Sequence, residues 1–296
     1  MNEKKRLKEG LQGKVCVFLF SIMAIDQKQA IEKARKRIDQ VLHIMRLYFG
    51  SHVFHSLPTP NLFKAISKKS IGVSRPLEVQ DELCTIASNE EDGLIDHMLT
   101  LYRFVEGGSM PEMEISKALL RAIRWFGSAV QDKEMEDKLV KYIFALETLL
   151  VPEDRGGKRA RLTFRVVLLQ LRVNRELPYS NFPNDLNHFY QKRNQIVHGG
   201  DIKGEPITKE DIHLLERLTR RVIHNTSSVI IDNPGAITDV PVLKEWIQRE
   251  DKQLVDIYRF ISHHGDEELK EYAASVSSPL ILRAFYLHGY LTSRIL

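Results

Sequence analysis

From Pro111 onward, apolar residues recur every three or four positions, the spacing at which side chains share one face of a helix. EMEISKALLRAIRWFGSAV puts Ile115, Leu119, Ile123 and Phe126 on one side, and LVKYIFALETLL does the same with Leu139, Ile143, Leu146 and Leu150. After the loop VPEDRGG, the stretch KRARLTFRVVLLQLR carries Leu162, Val166 and Leu169 as its stripe. Residues 182–198 predict another helix. Thr208 and Asp211 then cap a further one bearing Ile212, Leu215, Leu218, Val222 and Val229. Asn233-Pro234-Gly235 breaks the pattern, and two more helical segments are expected over about 241–261 and 266–290.

The first hundred residues read differently. The run VCVFLF predicts a buried strand over 14–20, and Asp26 with Gln29 forms a capping box for a helix with Ile31, Ala34, Ile38, Val41, Leu42 and Met45 on one side. Beyond it, Pro58, Pro60, Gly72 and Pro76 punctuate short apolar pieces that suit strands or irregular structure. The expected fold class is therefore mainly α. A helical domain over 111–231 follows a smaller mixed α/β region over 1–110, a candidate sensor or regulatory part, and precedes a helical C-terminal extension over 232–296.

Composition narrows the function classes only a little. The 296 residues carry a formal charge of +4, which suits a nucleic-acid partner without requiring one. Cys16 and Cys84 give neither a disulfide framework nor zinc spacing, so a reducing cytoplasm is expected and no metal or cofactor is. The basic leader before VCVFLFSIMAI also holds acids and lacks a small-x-small cleavage pattern, so it is not read as a signal peptide. No run is long enough to span a bilayer, and no membrane partner is expected.

The chemistry concentrates at RNQIVHGG, residues 193–200. On a helix, Ile196 falls almost on Phe189, with Leu186 and Val197 beside them, and Arg193 lies inside this apolar sector. An unpaired guanidinium does not settle in a core; it snorkels, pairs, or lines a pocket. Asn187, Asn194 and His198 share the opposite, polar side, and Gly199-Gly200 supplies the left-handed geometry of a helix end. Arginine can give phosphate two parallel hydrogen bonds, and histidine can exchange a proton near neutrality. One helix cannot easily turn both groups onto one small target, whereas two antiparallel copies could.

R-N-x-x-x-H before a glycine resembles the hallmark of the HEPN superfamily of ribonuclease and nucleotide-binding helical domains. The wider context resembles its Apea-like group. Ala145-Leu146-Glu147-Thr148-Leu149 matches that group's A-L-E-x-L core, Arg165 in LTFRVVLL its helical arginine, and Arg193-Asn194-Gln195-Ile196-Val197-His198-Gly199 its closing motif. AIRWFGSA, with Trp125, looks like the lead-in helix. The likeness covers about residues 112–230. It implies a HEPN-type helical bundle acting as a metal-independent endoribonuclease. The expected form is a homodimer whose two R-x4-H helices face each other. Arg193 would hold the scissile phosphate, His198 would act as acid or base, and Asn194 would position either. Cleavage would leave a 2′,3′-cyclic phosphate. Domains of this kind commonly serve as intracellular toxins, often in anti-phage defence, held silent until a sensor region changes state; a regulatory partner protein or nucleic acid is a further expected partner.

Glu147 is expected to be a carboxylate paired with Arg165, and otherwise to orient the catalytic group. Arg155, Lys158, Arg159, Arg161, Arg165 and Arg172 form a basic run free of acids. It reads as a solvated helix face, or as an RNA-backbone contact through Lys158, Arg159 and Arg161. His263-His264 are expected at the surface, His188, His213 and His224 as helix residues without a role, and Trp125 in the core. Three readings stay open. They are a ribonuclease, a catalytically silent HEPN module binding RNA, nucleotide or a protein partner, and a structural dimer whose Arg193 is merely paired. A cleft holding both copies of Arg193 and His198 would favour the first. A fully buried Arg193–carboxylate pair would count against it.

Overall fold

The computed structural model describes residues 26–49, 97–98, 100–104, 113–152, 157–174, 182–199, 206–233, 235–249, 261 and 263–276. The chain divides into two compact units, Met1–Arg103 and Phe104–Leu296. All regular structure among the described residues is helical. The expected strand over 14–20 and the irregular stretch around Pro58–Pro76 lie outside those residues.

In the first unit, α1 (Gln27–Phe49) opens where the Gln29 amide donates to Asp26 Oδ1 at 2.8 Å, as the capping pattern predicts. The second half of α1 is buried at Val41, Leu42, Ile44, Met45, Leu47 and Tyr48. Arg46 is buried with them, and burial lowers its guanidinium pKa to about 10 against the opposing pull of Asp39. Tyr48 shares a hydrogen bond with the His97 ring.

The second unit is a helical bundle of α2 (Glu114–Gln131), α3 (Met135–Leu150), α4 (Lys158–Asn174), α5 (Phe182–Val197), α6 (Lys209–Asp232), α7 (Val240–Gln248) and α8 (Glu267–Val276). The apolar faces read from the sequence are the faces that meet. Ile115, Leu119, Ile123 and Phe126 of α2, and Leu139, Ile143, Leu146 and Leu150 of α3, are all buried. α2 and α3 pack side by side, and both lean on α6, while α5 lies against α3 and α4. Phe126 and Tyr142 meet at 5.4 Å between ring centroids, tying α2 to α3 inside the core.

Helix ends follow local chemistry. Thr208 Oγ1 accepts the Asp211 amide at 3.1 Å while Asp211 Oδ2 accepts the Thr208 amide at 2.9 Å, the reciprocal cap expected of that pair. α6 stops at Asp232, and Gly235 takes a φ of +79°, a left-handed turn that glycine adopts without steric cost. The two closing helices begin within a residue of where the periodicity predicts, and residues 277–290 of the second expected segment lie outside the described residues. α7 ends at Gln248, and the remainder of the expected 241–261 segment is largely outside the description.

α4 departs most from its sequence reading. Its residues from Ala160 to Gln170 are buried all round, including Arg161, Arg165 and Gln170. The cause is its position: α3, α5, α6, α7 and α8 all pack against it. The closing helices thus cover the side that an amphipathic projection assigns to solvent.

His224 on α6 gives one test of this packing. Burial is the main influence on its imidazole and lowers its pKa from the ordinary 6.5, against a smaller raising effect of Asn225. The folded protein therefore binds fewer protons here than the unfolded chain. The resulting stability is complete above the ordinary value and is lost as pH falls through it toward the lowered one. Urea midpoints measured from pH 7 down to pH 5 should fall less steeply for His224→Gln than for the native chain. Parallel slopes would contradict the assignment.

Candidate functional site around Arg193

α5 carries the candidate site on its last two turns. Phe182, Leu186 and Phe189 bury the beginning and middle of the helix, and Lys192 anchors it sideways. Lys192 is 3% exposed, with Nζ 3.4 Å from the Pro206 carbonyl and 3.8 Å from Asp211 Oδ2, so it ties α5 to the start of α6. The sequence reading overlooked this lysine; its position two residues beyond Tyr190, facing the capped start of α6, becomes meaningful only once the helices are packed.

Arg193 sits in the apolar sector predicted for it, and it is paired. Its Nη2 lies 3.2 Å from Glu147 Oε2 on α3, and its Nη1 donates to Asn194 Oδ1 at 2.9 Å. The guanidinium carbon stands 5.0 Å from the centre of the Phe144 ring and 5.6 Å from that of Tyr190. These aromatic faces favour a cation that is mostly withdrawn from water. The Arg193 and Glu147 side chains are 14% and 13% exposed, so the pair lies at the rim of the bundle rather than deep within it. Arg193 Nε is buried and has no hydrogen-bond partner among the described residues.

Glu147 takes a second hydrogen bond from Tyr190, whose hydroxyl donates to Oε1 at 2.6 Å. Burial, and then the hydrogen bond and charge of Glu147, raise the Tyr190 pKa well above the ordinary phenol range. The phenol therefore remains a donor at any pH the protein meets. This arrangement differs from the expected Glu147–Arg165 pair. Arg165, 1% exposed, donates instead to the Leu150 carbonyl near the end of α3. Geometry explains the exchange: Glu147 faces α5, while Arg165 reaches the C-terminal carbonyls of α3, where a cation is also favoured.

Past Arg193 the helix emerges. Asn194 and Ile196 are half-buried, Val197 is 45% exposed, and His198 is exposed. The His198 amide closes the last turn on the Asn194 carbonyl at 3.1 Å, and the Gly199 amide follows onto Ile196 at 3.2 Å. Gly199 has a φ of +68°, and a Cβ added there would meet nothing within 4 Å. Its conformation, not lack of space, is what calls for glycine. Asn187 does not share the open side with Asn194 and His198. It is 4% exposed, accepts from Thr163 Oγ1 at 2.7 Å and donates to Asp266 Oδ2 at 2.8 Å. α4 and α8 cover that part of the polar stripe.

The basic run of α4 is not a single solvent-facing strip. Arg159 pairs with Asp266 at 3.5 Å and also with Glu268, both at the start of α8. Arg161 is 8% exposed, Lys158 is half-buried, and Arg172 donates to the Ile247 and Arg249 carbonyls at the end of α7. Arg155 lies outside the described residues. Arg159 and Arg172 instead fasten the closing helices to α4.

Trp125 also differs from its expected place in the core: it is half-buried and meets Phe144 edge-on, with ring centroids 5.2 Å apart. A continuous cluster thus runs from Trp125 through Phe144 to Arg193 and Tyr190. Phe144 and Tyr190 were missed because nothing in the sequence shows that packing brings them to Arg193. His263 and His264 are exposed as expected. Among the described residues, no group of three or more His, Cys, Asp or Glu is arranged to hold a metal, and no helix is long and apolar enough to cross a membrane. Comparison with known protein families, curated proteins and solved structures gives no match, so the assignment of function rests on the residues themselves.

Proposed function

We propose that the chain is a HEPN-type endoribonuclease that cleaves RNA without a metal and works as a homodimer, with a role as a toxin or anti-phage effector in the cytoplasm. The observation that carries this reading is the end of α5. A guanidinium fixed by Glu147, Asn194 and two aromatic faces is followed five residues later by an exposed histidine beside an exposed valine. In this reading Arg193 binds a non-bridging phosphate oxygen and offsets the charge that grows on it during reaction. His198 removes the proton of the ribose 2′-hydroxyl or supplies one to the departing 5′-oxygen. The 2′-oxygen forms its bond to phosphorus as the bond to the 5′-oxygen breaks, leaving a 2′,3′-cyclic phosphate. Asn194, already on Arg193 Nη1, keeps the guanidinium plane directed. The second protomer supplies the counterpart groups that one helix cannot bring together.

The mostly buried Arg193–Glu147 pair favours a second reading, a silent module or structural dimer in which Arg193 serves only packing. Incubation with total cellular RNA in the presence of chelator separates the two. Cleavage with cyclic-phosphate ends supports the enzyme. Intact RNA at every protein concentration, with the native dimer formed, supports the silent module.

A further inference from the structure

We infer that the Tyr190 hydroxyl is a positioning group that keeps the Arg193–Glu147 ion pair single-bonded and hence exchangeable for a phosphodiester. A guanidinium beside a carboxylate ordinarily closes a two-bond fork, the strongest and most rigid form of the pair. Here it does not. Glu147 Oε2 receives Arg193 Nη2 at 3.2 Å, a long contact for two ions, while Oε1 is taken by Tyr190 at 2.6 Å. The third participant is Arg193 Nε, which is buried with no partner among the described residues. An unsatisfied donor and an oxygen committed elsewhere therefore belong to the same ion pair.

The hydroxyl also draws on the charge of Glu147. A carboxylate that already accepts one short hydrogen bond holds a neighbouring cation less tightly than a free one. Because burial and Glu147 raise the pKa of the phenol, this donor does not titrate away. Phe144 and Tyr190 keep the guanidinium in place from their ring faces, so loosening its bond to Glu147 does not release the side chain. The result is an arginine that is oriented yet not fully neutralised. Such an arginine can trade one carboxylate oxygen for one phosphate oxygen. That the incoming anion is an RNA phosphate rests on the reading proposed above; the exchangeability of Arg193 does not.

Removing the hydroxyl in Tyr190→Phe leaves Oε1 open to Arg193 and lets the pair tighten. Glu147→Gln, which keeps an acceptor for Tyr190 but removes the charge, acts in the opposite direction. The measurement is the rate at which phenylglyoxal modifies Arg193, followed by peptide mass analysis on the full chain. Relative to the native chain, Tyr190→Phe should react more slowly by roughly tenfold or more, the scale of one added charge-assisted hydrogen bond. Glu147→Gln should react faster, and the double variant Tyr190→Phe/Glu147→Gln should recover at least the native rate. A hydroxyl that only supported the fold would give faster modification in Tyr190→Phe, as the packing loosened. That result, equal rates in the two chains (including no reaction in either), or a double variant as slow as Tyr190→Phe overturns the inference.

Anisotropy with an uncleavable 2′-O-methyl oligoribonucleotide completes the test. If binding weakens in Tyr190→Phe and returns in the double variant, both this inference and the ribonuclease reading gain support. If no chain binds while Arg193 reactivity shifts as expected, the positioning role of Tyr190 stands and the RNA reading fails.

Discussion

Replacing His198 by alanine is expected to lower RNA cleavage about a hundred- to ten-thousand-fold, the usual contribution of a positioned general acid or base. The loss should come without a loss of stability. His198 is exposed, and its backbone, not its ring, closes the last turn of α5. Arg193→Ala should reduce cleavage about a hundred- to thousand-fold, since in the proposed ribonuclease reading it removes the group that would stabilise charge on the phosphate. Unlike His198→Ala, it should also destabilise the fold, because it leaves Glu147 without its cation at a site only 13% exposed. Arg193→Lys should recover the charge but little of the rate, since a lysine offers a point charge where the planar guanidinium stacks on Phe144 and Tyr190. Single-turnover cleavage alongside urea unfolding of the same preparations distinguishes these effects. Native cleavage by His198→Ala would remove the histidine from the mechanism.

Glu147→Ala is expected to give the largest loss of stability among the site variants, about 3 kcal/mol by analogy with other ion pairs broken by removing one partner in a mostly buried place. Two groups lose their acceptor together: the Arg193 guanidinium and the Tyr190 hydroxyl. Glu147→Gln should cost less, because its side-chain oxygen can still accept from Tyr190. The further substitution Arg193→Ala in the Glu147→Ala background should add little, since the cation is already without its counter-charge, and the double-mutant cycle then measures the coupling directly. Urea midpoints with unchanged slopes are the required data. A change below about 1 kcal/mol for Glu147→Ala would mean that the pair is screened like an ordinary surface bridge.

The order of helices in the second unit was legible because most of them carry an apolar stripe at helical spacing and several have recognisable punctuation. Thr208 and Asp211 marked the start of α6, and Asn233-Pro234-Gly235 its end, through backbone chemistry that acts within a few residues. What escaped the sequence depends on contacts between distant segments. α8, from a part of the chain far beyond α4, turned Arg159 and Asn187 from surface groups into buried or paired ones. For the site itself, the helical projection located Arg193 in the apolar sector and His198 at the open tip. It chose Arg165 as the partner of Glu147 where the structure has Arg193, because both arginines lie on neighbouring helices and the periodicity does not show which of them Glu147 faces. Tyr190 carried no signal of its own: its hydroxyl matters only because α3 brings Glu147 to it.

The central claim is that residues 193–199 form half of a site that a second copy completes. The direct measurement is RNA cleavage by native chain co-assembled, at constant total chain, with an increasing share of the double variant Arg193→Ala/His198→Ala. If the site is shared, inactive chains capture native ones. At equal amounts only about a quarter of the dimers then carry two native chains, so activity should fall with the square of the native fraction. Activity that stays proportional to the amount of native chain, whatever the excess of the inactive one, would contradict the claim.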